Sequence, residues 1–221
     1  MSFPRRVEAV VFDMDGLLLD TEIVYRAAMI EAGATFGIGF TGEVYASMVG
    51  KTNPECAVVL RGLYGEQFPV QAYFERVWSD VEDLLEAETK LKTGVIEILD
   101  YLDDIGLPRA IATSNGIASV EKYLGRFDLL PRFNAVVANA DVTRHKPHPD
   151  PYLEAARRIG MDPARCLALE DSHPGVRAAH AAGMMTVMVP DILDPNEEMH
   201  DKCIHIAESL HVVLDLLKAS V

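Results

Sequence analysis

From Pro108 to the end of the chain, short apolar runs alternate with stretches of helical periodicity, and this alternation narrows the fold more than any other feature. Runs at 109–113, 135–138, 165–169 and 185–189 read as strands, with helices near 117–126, 150–160, 174–182 and 207–218 between and after them. Strands joined by helices pair in parallel, and a parallel sheet needs helices on both faces. The expected class is therefore α/β, a doubly wound, Rossmann-like parallel sheet.

One more strand precedes this region. Residues 7–12 are apolar and rich in valine apart from Glu8, and the run stops at Asp13-Met14-Asp15-Gly16. Residues 22–88 break the alternation, because they read as helices alone: 22–36, a short helix after Thr41, 54–63 and 69–88. Thr52 with Glu55 three residues on forms a capping box, and Pro54 sits early in the first turn, where its missing N–H costs nothing. An all-helical cap inserted in the α/β core follows, with 1–20 and 89–221 as core and 21–88 as cap.

Charge and cysteine usage exclude several partners. Among 221 residues, 20 Lys and Arg face 34 Asp and Glu, a formal charge of −14, which disfavours nucleic acid and anionic membranes. Cys56, Cys166 and Cys203 make no C-x-x-C pair and no even-numbered disulfide framework, so a reducing compartment is expected. Arg5 and Arg6 precede an apolar run as in a signal peptide, yet Glu8, Asp13 and Asp15 interrupt it. No stretch reaches the roughly 18 apolar residues of a membrane span. The expectation is a cytoplasmic monomer acting on a small molecule.

Ligands of open parallel sheets sit beyond the carboxyl ends of the strands. There the first strand ends in Asp13 and Asp15, the second in Thr113-Ser114-Asn115, the third precedes Lys146, and the fourth ends in Glu170-Asp171. Each piece alone reads as a turn, a helix cap or a solvated loop. Together, at the ends of four strands, they supply carboxylates, hydroxyl and amide donors and one ammonium, a set suited to a divalent, oxygen-liganded cation holding a phosphate. An EF-hand loop is excluded, because Leu17 and Leu18 stand where it needs a ligand and a glycine.

Asp13-Met14-Asp15-Gly16-Leu17-Leu18-Leu19-Asp20-Thr21-Glu22, Ala112-Thr113-Ser114-Asn115, Lys146-Pro147-His148-Pro149-Asp150-Pro151-Tyr152-Leu153 and Leu169-Glu170-Asp171-Ser172-His173-Pro174-Gly175 resemble, in order and spacing, the four motifs of the haloacid dehalogenase-like hydrolase superfamily. The match is nearest its β-phosphoglucomutase-like phosphatases. The resemblance implies that Asp13 attacks phosphorus to form an aspartyl phosphate and that Asp15 is general acid, then general base. It implies Mg2+ on Asp13, the Asp15 backbone carbonyl and Asp171, with Glu170 bound directly or through water. Thr113 and Lys146, with the backbone N–H groups around Ser114 and Asn115, would bind the transferring oxygens. Asp15 also separates a phosphatase from the dehalogenases and phosphonate-cleaving members, which lack an aspartate there.

The resemblance leaves a phosphosugar mutase as alternative, and a non-catalytic phosphometabolite-binding module as a different class. The mutases carry a cap histidine and a cap arginine where this chain has Tyr25 and Asn53. Hydrolysis is therefore expected, since neither a phenol nor a neutral amide replaces them. A module that only binds has no need of both Asp13 and Asp15. Val49-Gly50-Lys51-Thr52 mimics a P-loop end, but Tyr45 stands where a P-loop needs glycine, and the resemblance instead makes Lys51 a substrate contact of the cap. His145 and His148 read as loop histidines rather than zinc ligands. His173 could touch the site from its rim, and the methionines and Trp78 fall at core spacing.

Overall fold

A computed structural model describes residues 3–49, 51 and 53–220, except for the side chains of 82, 83, 86 and 87. Thr52 of the expected capping box and Gly50 of the P-loop-like stretch lie outside the described residues. The chain divides into two compact units. One takes the chain up to Leu19 and from Leu91 onward, the other Asp20–Lys90.

The first unit is built on six parallel strands: β1 Ala9–Phe12, β2 Arg109–Ala112, β3 Ala135–Val137, β4 Cys166–Glu170, β5 Met185–Met188 and β6 His205–Ile206. Their order is β3-β2-β1-β4-β5-β6, so the connections run outward in opposite directions from the β1/β4 pair, the switch point beside which open α/β sheets hold ligands. Every residue of β1, β2, β4 and β5 is buried, as a sheet covered on both faces requires. On one face the strands present small side chains, Ala9, Ala110, Ala112 and Ala168. Small residues of the covering helices, Ala155 and Ala156 of α7 and Ala178 and Ala179 of α8, meet them, and Tyr152 is the one large polar-tipped side chain of that layer. Here α7 is Asp150–Arg158 and α8 is His173–Ala181.

Besides short 3-10 turns, the described residues hold a helix, a further short helix and a strand that the periodicity reading above does not include. A helix, α5 Val95–Asp104, follows the linker; its buried Val95, Ile98, Leu99 and Leu102 follow the i, i+3, i+4, i+7 rule and were legible on that ground. The short helix α9 Glu197–Lys202 and the two-residue β6 are too brief to carry a period. The remaining helices of this unit are α6 Ile117–Gly125 and α10 Leu210–Lys218.

Among the described residues the second unit has four helices: α1 Glu22–Thr35, α2 Gly42–Met48, α3 Asn53–Tyr64 and α4 Val70–Glu88. Tyr73 of α4 is its hub. Its hydroxyl donates to the Met29 carbonyl at 2.8 Å, and the rings of Phe36, Phe40, Phe68 and Phe74 lie 5.6 to 5.9 Å from its own. Trp78 departs from the core expectation. It is 46% exposed, because the buried stripe of α4 runs through Val70, Tyr73, Val77, Val81 and Leu85 and leaves Trp78 one position off it.

Among the described residues no helix is long and apolar enough to cross a membrane, and the three cysteines are free thiols.

Candidate active site

The segment after β1 folds back on itself at once. The Leu18 and Leu19 N–H groups both donate to the Met14 carbonyl, at 2.9 and 3.0 Å, and the Gly16 N–H donates to the Leu19 carbonyl at 2.8 Å. Met14, Leu17, Leu18 and Leu19 are buried, and this apolar anchoring fixes the backbone that carries Asp13 and Asp15. Gly16 has φ +76°, and a β-carbon there would stand 2.2 Å from Asp171 Oδ2. Only glycine lets the two strand ends approach this closely.

Lys146 joins two of the carboxylates. Its Nζ donates to Asp13 Oδ1 at 2.5 Å and to Glu170 Oε1 at 2.6 Å. The Asp13 carboxyl is raised from 3.8 to about 7: burial drives it up most, Lys146 pulls it down, and Glu170 and Asp15 add to the rise. Burial alone would lower the Lys146 ammonium, but Asp13 and Glu170 outweigh this and hold it above its ordinary value. The lysine is therefore a fixed positive charge.

Glu170 has no exposed surface and accepts five protein donors. Its Oε1 takes Lys146 Nζ and the Tyr152 hydroxyl, both at 2.6 Å, and its Oε2 takes the Asp171 and Ser172 N–H groups at 3.1 Å and Ser172 Oγ at 2.9 Å. A β-carbon on Gly175 would lie 1.8 Å from Oε1, so α8 has glycine where the carboxylate rests on it.

A second set holds Asp15. Asn115 Nδ2 donates to Asp15 Oδ2 at 2.5 Å, and the Asn115 N–H donates to Thr113 Oγ1 at 3.1 Å. Thr113 is buried, and with its oxygen accepting from Asn115 its own hydroxyl proton is what it can offer a ligand. Ser114 is exposed, with its carbonyl taken by Asn139 Nδ2 at 3.1 Å. The structure thus brings Asp13, Lys146 and Glu170 into contact, and Asp15, Asn115 and Thr113 into a chain beside them.

Oxygen atoms of Asp13, Glu170 and Asp171 lie within 4.8 Å of one another. An all-oxygen, anionic donor set fits Mg2+ or Ca2+ rather than a softer metal, and the raised Asp13 carboxyl is what a cation's charge would offset. The five protein donors on Glu170 leave Asp13 and Asp171 as the better suited side chains.

The other sequence candidates have contacts of their own. His173 Nε2 lies 2.9 Å from the Asp194 carbonyl, and His145 and His148 are exposed. Lys51 belongs to the helical unit, where its ammonium donates to the Ser47 carbonyl. There it lines a cavity of about 240 Å³ with Tyr25, Asn53, Phe74 and Trp78. Trp78 stacks on Phe74 at 6.1 Å and meets Tyr25 edge-on at 6.3 Å.

Sequence reasoning gave no role to Tyr152, although a signal was present. A tyrosine in the apolar stripe with Ala155, Ala156 and Ile159 buries a hydroxyl that needs a partner.

The chain has known relatives. Hexitol phosphatase B of Escherichia coli is 33% identical over 194 residues, 86% of this chain and 86% of that protein. A phosphorylated carbohydrates phosphatase of Thermotoga maritima is 30% identical over 178 residues, 80% of this chain and 82% of that one. CbbY from Rhodobacter sphaeroides, solved in complex with phosphate, has a TM-score of 0.74 at 27% identity and covers 92% of this chain and 95% of its own. The family model described as haloacid dehalogenase-like hydrolase matches residues 10–189, which span β1 to β5 and every carboxylate of the site, and the chain belongs to that family.

Proposed function

We propose that this protein is a phosphatase that hydrolyses a small phosphorylated metabolite, a sugar phosphate or similar, through an aspartyl phosphate on Asp13. The observation that carries the reading is the Asp13–Lys146 contact, with a second carboxylate, Asp15, two residues on and held by Asn115. The kinship with two phosphatases of phosphorylated carbohydrates and polyols supports the substrate class.

In the first step Asp13 attacks phosphorus, the bond to the leaving oxygen breaks, and Asp15 gives that oxygen its proton. In the second, Asp15 takes a proton from water as the water attacks phosphorus, and the bond to Asp13 breaks, returning the carboxylate and releasing phosphate. Lys146 and the Thr113 hydroxyl bind the transferring oxygens, with the backbone N–H groups at Ser114 and Asn115 as further donors. Asn115 fixes the rotamer of Asp15. Asp13, the Asp15 carbonyl and Asp171 would hold Mg2+, which supplies the positive charge that lets a carboxylate approach a phosphate dianion. Glu170, committed to protein donors, serves as the anchor of Lys146.

The helical unit acts in this reading as the selector of the substrate's organic part, with Tyr25, Lys51 and Trp78 as its contacts. Tyr25 and Asn53 offer no imidazole and no second phosphate clamp, so the aspartyl phosphate passes to water rather than to a second sugar phosphate. The test is a panel of phosphorylated sugars, polyols and nucleotides with phosphate release as readout, repeated in EDTA and after Mg2+ is restored. Phosphate as the main product, lost in EDTA and regained with Mg2+, supports the reading. Undiminished release in EDTA removes the metal from it, and conversion of β-glucose 1-phosphate to glucose 6-phosphate with little free phosphate makes the protein a mutase.

A further inference from the structure

We propose that Tyr152 is a positioning residue for this reaction: its hydroxyl and ring together hold the Lys146 ammonium where it serves Asp13 as well as Glu170. The inference rests on the phosphatase reading and adds a residue to it.

Tyr152 lies in the first turns of α7, fully buried against the small-residue face of the sheet. Its hydroxyl donates to the same oxygen, Glu170 Oε1, that accepts from Lys146, and its ring centroid lies 5.3 Å from the Lys146 nitrogen. A lysine side chain has four rotatable carbons, and a single contact would leave its nitrogen free to move by more than the length of a hydrogen bond. Here the nitrogen meets two carboxylates and a ring, with the ring on the side cation–π attraction favours.

The shared oxygen gives the hydroxyl a more specific part. An ionised Oε1 whose only donor was Lys146 would draw the ammonium towards Glu170 and away from Asp13. A second donor on that oxygen satisfies part of its charge, so that Lys146 remains divided between the two acids at nearly equal distances, 2.5 and 2.6 Å. The Asp171 and Ser172 N–H groups and the Ser172 hydroxyl hold the other oxygen, Oε2, so the carboxylate does not swing to compensate.

Tyr152→Phe separates the two contributions, because it keeps the ring under Lys146 and removes only the hydroxyl. Steady-state rates with p-nitrophenyl phosphate and Mg2+, per folded molecule, should show kcat reduced about tenfold with KM within about twofold. Tyr152→Met, of similar volume, removes ring and hydroxyl and should fall further; it also stands in should the Phe variant fail to fold. A residue that only fills space would lower the melting temperature and leave kcat of the folded enzyme unchanged, and that result overturns the proposal. A calorimetric titration with inorganic phosphate and Mg2+ accompanies the kinetics, with affinity expected to weaken several-fold in Tyr152→Phe. Absence of turnover in the unmodified protein would refute the phosphatase reading instead; the titration then decides alone, weakened affinity sustaining the positioning role and unchanged affinity ending it.

Discussion

The Lys146 ammonium stands 2.5 Å from Asp13 Oδ1 with the two side chains only 7% and 10% exposed. Charges this far from water persist only when each has its partner. Lys146→Met should therefore leave Asp13 and Glu170 uncompensated and cost about 3–5 kcal/mol of stability, with turnover lost. Chemical denaturation of the variant checks the first part, and phosphate release the second. A loss below about 1 kcal/mol would mean that the pair is solvated in solution.

The electrostatics of Asp13 predict how a cation stabilises the protein at different pH. Without a cation, this carboxyl is raised from 3.8 to about 7, chiefly by burial. The folded protein then binds a proton that the unfolded chain has already lost, so the stability Asp13 contributes is complete below about 4 and is lost as pH rises through 7. A cation on the ionised carboxylate restores it. Mg2+ should thus raise the melting temperature more at pH 8 than at pH 5, and Asp13→Asn should remove most of that difference. Equal shifts at both pH values would contradict the assignment of Asp13 to the metal.

Gly175 offers a steric test. An alanine methyl there would stand 1.8 Å from Glu170 Oε1 and displace the carboxylate that anchors Lys146. Gly175→Ala should destabilise by roughly 3 kcal/mol and abolish activity. Gly125→Ala, at the end of α6 with no atom within 4 Å of the added methyl, should be neutral or stabilising by up to about 1 kcal/mol. Comparable losses at both positions would show that the contact with Glu170 is not the cause.

Substrate choice should respond to the helical unit separately from the chemistry. Lys51→Ala and Trp78→Ala alter two walls of its cavity. Relative rates across a phosphate-ester panel should be reordered, while rates on p-nitrophenyl phosphate change little. An unchanged order would remove both residues from selection.

The parallel sheet and the cluster of polar residues at its strand ends were legible because strand ends carry polar residues that a buried strand does not tolerate. Asp13, Thr113 and Glu170 announce themselves at the close of apolar runs, and Lys146 by its place after the third. The division of labour among the acids was not legible, since it depends on donors distant in the chain: Tyr152 and Ser172 occupy Glu170, while Asn115 holds Asp15. Trp78 misled for a related reason. A tryptophan in a helix of this apolarity reads as core, and only the path of the buried stripe through Tyr73 and Val77 shows that it lies at the edge of a cavity.

A covalent intermediate on Asp13 would be caught by mass spectrometry of the enzyme acid-quenched during turnover. The peptide containing Asp13 should carry one phosphoryl group in the unmodified protein with substrate and Mg2+, and none in Asp13→Asn. Sustained phosphate release with that peptide unmodified, or with the phosphoryl group on another residue, would contradict the account.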